Sequence, residues 1–412
     1  MKKIALTLVI LSCFFPEINL SAQTHKACGN MPEWETSSTP TAISESRHVF
    51  ETAVKQAIQE SDWITPRSPV TIPVVVHILW NKPEENVDDA RIWSQIERLN
   101  LDFNAKNQDI EQVPDEFKPL SGNTGIQFCL AAQDPDGRPT NGIIRMHTEV
   151  RGIAAKPDRI YYSALGGSDA WDTERYLNIW VGDSTPEPGS ASVTGYTYFP
   201  WNENPANSGI VISLVAFGKN NSESWSMGRV GVHEVGHYLG LRHIWGDNTP
   251  PSCDDDDGIS DTPGQFFYHF GCPDTPQQSC GKSNMYMNYM DYVDDQCMLM
   301  FSNEQCQWMN TVLALYRPGL LNSTVQCVQQ SENTLNTPFS IFPNPASRQI
   351  HLNFPDTIAE PGEVVIYNAV GRIVFRKFFI LRSGMEVDLP ELTSGMYFVK
   401  VGKQVEKVIL HP

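Results

Sequence analysis

In the segment HEVGHYLGLRH, His233 and His237 stand four residues apart, Glu234 lies between them, and His243 follows Gly240 by three residues. Positions four apart on a helix share one face, so both imidazoles can bind the same ion. Glu234 sits beside the first of them, where a carboxylate can take a proton from an activated water. Gly240 can adopt positive φ without steric cost, which lets the helix stop and the chain turn His243 back toward the ion. Three neutral imidazoles with a fourth position open make a zinc site of the catalytic type, since structural sites are closed. No Glu occurs between Glu234 and Glu304. A later carboxylate ligand is therefore not on offer, and His243 is the candidate third ligand.

Further along, the run NYMDYVDDQCMLM from Asn288 to Met300 centres on Met290. An apolar, polarizable thioether can floor a ligand cluster without competing for zinc. A long histidine motif followed by such a methionine is the metzincin pattern. Tyr292, two residues on, carries a phenol able to donate to a tetrahedral oxyanion, although a buried structural role also suits it. Four adjacent carboxylates, Asp254 to Asp257, precede Gly258, and Asp261-Thr262-Pro263 follows. They repel one another unless solvated or bound to a cation, and calcium with its six to eight oxygen ligands suits such a loop. Asp254, Asp257, Asp261 and Thr262 are the candidate calcium ligands.

HEVGHYLGLRH and NYMDYVDDQCM together resemble the pappalysin family of metzincin zinc metalloproteases, over about residues 68 to 320. The resemblance implies an endopeptidase on an α/β (α+β) fold. Its sheet is twisted, mixed and mostly parallel, with helices above the cleft and an irregular lower half ending in a helix. By the same resemblance His233, His237 and His243 bind zinc, Glu234 is general base and acid, Met290 is the Met-turn residue and Tyr292 stabilises the transition state. In the family an Asp just after the Met-turn sets a preference for Arg or Lys after the scissile bond, and Asp295 occupies that position. A carboxylate at the end of a pocket selects a cation by charge-assisted hydrogen bonding. The resemblance also implies structural calcium near the acidic loop and the disulfides Cys253–Cys280 and Cys272–Cys297.

Leaving aside Cys13, eight cysteines remain, and in an exported chain they read as disulfides. Cys306 and Cys327 are taken as a pair across the last helix, which leaves Cys28 and Cys129. Cys28 either bonds Cys129 or supplies a thiolate to zinc's fourth position and keeps a precursor latent. An aspartate of the same segment is a third possibility for that switch.

These residues need elements to hold them. The apolar run TIPVVVHILW predicts a buried strand over Val70 to Trp80, and Ile92, Ile96, Leu99 and Phe103 have helical spacing. Strands are expected at Gly125–Leu130, Tyr176–Val181, Val193–Phe199 and Gly209–Ala216, one of them the cleft rim that pairs with an extended substrate. Ser302 and Gln305 form a capping-box pattern before a helix carrying Met309, Val312, Leu313 and Tyr316.

The two ends say where such an enzyme works. Lys2 and Lys3, the apolar run Ile4 to Leu11, and Leu20-Ser21-Ala22 read as a signal peptide over 1–22, too short to span a membrane. Residues 23–67 are polar and poor in apolar residues, a propeptide with one helix near His48 to Glu60. The catalytic domain follows over 68–330. From Leu335 on, eight Lys/Arg and seven Asp/Glu give a net charge of +1, so the residues before it carry −19 against −18 for the whole chain. That asymmetry, with alternating strands at Ile350–Phe354, Glu363–Tyr367, Arg372–Phe378 and Gly395–Val401, predicts a separate small β-sandwich over 338–412. FPNPAS, IYNAVGRIV and LTSGMYFVKV resemble the C-terminal sorting domain of the type IX secretion system, which implies export across the outer membrane. The acidic catalytic part argues against nucleic acid and suits cationic peptides. The expected function is a secreted, latent zinc endopeptidase acting on proteins or peptides. A surface adhesin with a non-catalytic zinc site is the alternative.

Overall fold

The structure is a computed structural model and describes residues 40–60, 69–185, 193–246, 250–274, 276–328, 338–354, 360–390, 392–402 and 404–411. The signal segment 1–22, Cys28 and most of the linker before residue 338 lie outside them.

A six-stranded mixed sheet carries the catalytic part. Its central strand β1 (Val70–Trp80) is buried from Ile72 to Leu79, as an unbroken apolar run requires when both faces are covered. Two strands share one edge of β1, β2 (Ile126–Leu130) along its first half and β3 (Ile143–His147) along its second. On the other side β4 (Leu177–Gly182) and β6 (Ile210–Ser213) continue the parallel order. Strand β5 (Gly195–Thr197) closes the sheet antiparallel to β6 and forms its edge. The sequence pattern did not mark β3, since IIRMH has no clear alternation and is only partly buried.

Helix α2 (Asp89–Asp102) starts where Asp88 accepts from the Arg91 N–H at 2.9 Å and buries Ile92, Ile96 and Leu99 against the sheet. The zinc-motif helix is α3 (Arg229–Tyr238). Helix α4 (Asn303–Tyr316) begins with the expected capping box: Ser302 accepts from the Gln305 N–H, and the Gln305 side chain accepts from the Ser302 N–H at 2.9 Å. Helix α1 (Pro40–Glu60) starts earlier than its sequence pattern suggests and docks on the catalytic part through Phe50 and Val54, both buried.

Disulfides join Cys253 to Cys280 and Cys272 to Cys297, flanking the small hairpin of β7 (Gln278–Ser279) and β8 (Lys282–Ser283). The expected Cys306–Cys327 pair does not form. Residues 326–328 run antiparallel to the end of β2, with Ala132 N–H on Gln326 O and Val328 N–H on Leu130 O. This return brings Cys327 to Cys129, with Cα atoms 5.5 Å apart. Cys306 instead faces inward from α4 and is buried as a free thiol against Gly122. A Cys28–Cys129 bond is excluded by the same pairing.

Residues from 338 on form a second unit with its own apolar core, including Ile350, Leu352, Val364, Ile366, Val399 and Val408. One antiparallel sheet contains β9 (Ser340–Phe342), β10 (Gln349–Asn353) and β13 (Met385–Asp388). The other contains β11 (Glu360–Asn368), β12 (Ile373–Leu381), β14 (Gly395–Val401) and β15 (Gln404–Leu410). Alternating side chains of the two sheets make the expected sandwich.

Candidate active site

Helix α3 places His233 and His237 on one face, and Gly240 ends it at φ +83°, with its N–H on His237 O and the Leu241 N–H on Gly236 O. This left-handed turn needs glycine, and it swings His243 back over the helix. The ligand-capable nitrogens of the three histidines lie within 4.8 Å of one another, and this is the one such cluster of His, Cys, Asp or Glu among the described residues.

Their protonation follows from their partners. His233 Nδ1 lies 2.6 Å from Tyr289 O, and His237 Nδ1 lies 2.7 Å from Leu241 O. A carbonyl can only accept, so each Nδ1 carries the proton and each Nε2 keeps its lone pair. His233 Nε2 is buried with no hydrogen-bond partner among the described residues. His237 Nε2 and His243 Nε2 approach to 3.1 Å, so both rings point into the same space. Burial keeps all three neutral, pushing His237 down to about 4 and the other two well below the usual range. The donors, their orphaned nitrogen and the carbonyls that fix their tautomers all suit zinc.

Around the histidines the packing is tight. Met290 is fully buried, and a Cβ on Gly236 would lie 2.6 Å from its Sδ. Gly236 is what lets the thioether reach the underside of α3. Asn288 holds that turn, accepting from the Met290 N–H and bonding Gln305 of α4. Glu234 is fully buried, and a Cβ on Gly195 would come within 2.7 Å of its Oε1. The edge strand β5 therefore lies directly over the candidate base. Tyr292 packs against His243 and His233, with ring centroids 4.9 and 5.8 Å away. It is half-buried and at the cleft, not in the core. Beside it, a pocket is lined by Trp225, Val230, His233, Glu234, Tyr292, Val293 and Met298.

Asp295 is 1% exposed. Its Oδ2 accepts from the Met227 and Arg229 N–H groups at 2.8 and 3.2 Å, so it caps the start of α3. Its Oδ1 is buried with no hydrogen-bond partner among the described residues. Burial, partly offset by those backbone donors and by Arg229, pushes its pKa up to about 6. Arg229 escaped the sequence reading. It is fully buried, bonds Asp102 and Asp109, and donates to Asp295 O at 2.8 Å, tying α3 to α2 and to the chain after the Met-turn. A lone arginine before the motif gives no sequence signal for such a role.

The acidic loop is less gathered than expected. Asp257 is buried, with its Oδ1 2.7 Å from Thr262 Oγ1 and its Oδ2 unpartnered among the described residues. Asp261 turns to α4, accepting from Ser302 Oγ at 2.6 Å and from the Glu304 N–H at 2.9 Å, and Asp254 is exposed.

Comparison with known proteins agrees with this geometry. The family described as pregnancy-associated plasma protein-A matches residues 163–314, and the one described as secretion system C-terminal sorting domain matches 340–411. An extracellular metalloprotease of Arthroderma gypseum is 27% identical, over 75% of this chain and 91% of its own. One from Verticillium alfalfae is 32% identical, over 64% and 83%. Among solved structures, a mutant promirolysin of Tannerella forsythia is 35% identical, covering 72% of this chain and 96% of its own at a TM-score of 0.60. Mirolysin in complex with compound 9 is 39% identical, covering 62% of this chain and 97% of its own, with a TM-score of 0.57.

Proposed function

The chain belongs to the pappalysin family of metallopeptidases, and from that premise we propose that it is a secreted zinc endopeptidase, made latent and cleaving before Arg or Lys. The observation that carries the catalytic reading is the three-histidine cluster with Glu234 buried beside it under Gly195. Zinc held by His233, His237 and His243 supplies Lewis acidity and lowers the pKa of a water. Glu234 takes a proton from the attacking water and hands it to the leaving amine. The Tyr292 phenol donates to the carbonyl oxygen as it gains charge. The free edge of β5 aligns an extended peptide by strand addition, and Met290 floors the histidines.

The preference for basic residues is supported by Asp295, whose Oδ1 has no hydrogen-bond partner among the described residues and whose backbone N–H bonds Ser224 O beside the pocket residue Trp225. Latency is supported by α1, which lies on the catalytic part, and by the cysteine inventory. Apart from Cys28, every cysteine after the signal is bonded or buried, so Cys28 is the thiol left to act as a switch. Calcium in the acidic loop rests on the unpartnered Asp257 Oδ2. Removing calcium while zinc is retained should lower the melting temperature. The proposed limits are signal 1–22, propeptide 23–67, catalytic domain 68–330 and sorting domain 338–412. The sorting match indicates type IX export, and no helix of the described residues is long and apolar enough to cross a membrane.

The deciding experiment is cleavage of a denatured protein by wild type and by Glu234→Gln. Wild type should cleave and lose activity to a zinc chelator. The variant should bind zinc equally and be slower by about 10³-fold or more. Zinc bound with no cleavage by wild type freed of residues 23–67 would favour the adhesin alternative, and equal activity in the variant would remove Glu234 as the base.

A further inference from the structure

Two aromatic side chains beside the cleft stand in water, with a third, partly covered, between them. Phe267 and Phe270 are 41% and 55% exposed, and Tyr268 between them is half-buried. Rings this large are seldom left in solvent as a group unless something binds them. They also continue into the site. The Tyr268 and Phe270 centroids lie 5.3 and 6.3 Å from that of Tyr292, and Trp245 lies 4.6 Å from Tyr292 while stacking on the zinc-ligand candidate His243 at 4.3 Å. None of these three rings, nor Trp245, lines the pocket on the Val293 and Met298 side. The ridge is a second surface that shares Tyr292 with the pocket.

It is also held rigidly. The buried Asp291 carboxylate accepts from the His269 N–H and from His269 Nδ1, both at 2.8 Å, and from the Gln265 amide at 2.8 Å. The Cys272–Cys297 bridge and the Asp294 N–H on Gly271 O fasten the far end. A segment stapled at both ends to the residues around Tyr292 presents its rings without further ordering cost on binding. We infer that this ridge is a second substrate subsite, taking an apolar or aromatic side chain of the peptide at a position other than the one that fills the pocket. An aromatic partner there gains both buried area and ring–ring contact. The inference rests on the peptidase reading.

Paired fluorogenic peptides test it. They share a basic residue at the pocket position and carry Phe or Ala, one flanking position at a time. Wild type should prefer Phe over Ala by about 10-fold in kcat/KM at one such position. In Phe270→Ala the ratio should fall to about 2, and in Phe270→Leu it should be kept. Because each value is a ratio within one protein, partial misfolding cancels. No apolar preference in wild type, or an equal ratio in Phe270→Ala, overturns the subsite. An equal ratio with faster loss of the propeptide in Phe270→Ala overturns it in favour of a propeptide contact. Failure of wild type to cleave either peptide sinks the peptidase reading instead.

Discussion

At the level of single residues, two glycines decide how close backbone and chemistry come. Gly236 admits the Met290 sulfur beneath α3, and Gly195 lets β5 lie over Glu234, with a Cβ there only 2.7 Å from its Oε1. Gly195→Ala should leave zinc content intact and lower kcat by about 100-fold, because a base displaced by a fraction of an ångström loses its alignment. Kinetics with metal analysis checks this, and an unchanged kcat would show that β5 yields freely. Asp295 gives a pH prediction. Its carboxyl is raised to about 6 by burial, against the pull of the Met227 and Arg229 N–H groups and of the Arg229 charge, and with Asp102 nearby adding to the rise. Below that pH it is protonated and loses its charge, so selection for Lys over a neutral isostere should shrink as pH falls from 7 to 5. Comparing the two peptides at each pH cancels effects on the catalytic groups, and a flat ratio would remove Asp295 from specificity. His233, Glu234 and His237 were legible in the sequence because helix periodicity places them by local spacing alone, and His243 because Gly240 marks the turn that returns it. Gly195 and Arg229 were not, since each matters only through contact with residues far away in the chain.

At the level of elements, α1 is fastened to the turn that positions the third histidine. Phe50 packs on Trp201 and Tyr316 with centroids 4.8 and 4.6 Å apart, and a Cβ on Gly240 would meet its ring at 2.8 Å. Glu51 pairs with Arg242, next to His243, at 3.2 Å. One glycine thus serves both the φ of the helix end and the seat of α1. Phe50→Ala removes a buried ring worth about 3 kcal/mol, so α1 should be cut by added trypsin much sooner and the precursor should gain activity earlier. Limited proteolysis followed over time reads this, and identical cutting would mean α1 is held elsewhere. The strand β1 and the capped helix α4 were readable from a continuous apolar run and from Ser302 with Gln305. Strand β3 was hidden because pairing partners in a parallel sheet are set by tertiary packing, not by local pattern, and the Cys129–Cys327 bond because it depends on a chain return 198 residues away.

At the level of the whole molecule, charge and packing divide the chain at the same place. The residues before Leu335 carry the negative charge, and the sandwich after residue 338 buries its own apolar cluster, separate from the one around the zinc motif. A unit with its own core can fold without its neighbour. Ending the chain at residue 337 should therefore leave a protein with the same zinc content and the same peptide kcat/KM as the full chain after activation. The three disulfides of the catalytic part lie wholly before that point, so truncation removes no partner cysteine. What should disappear is passage across the outer membrane, with active enzyme accumulating in the periplasmic fraction of the cells. Fractionation with activity in each compartment separates the cases: full export of the truncated chain would refute the sorting role, and inactive, aggregated material would refute the independence of the two cores.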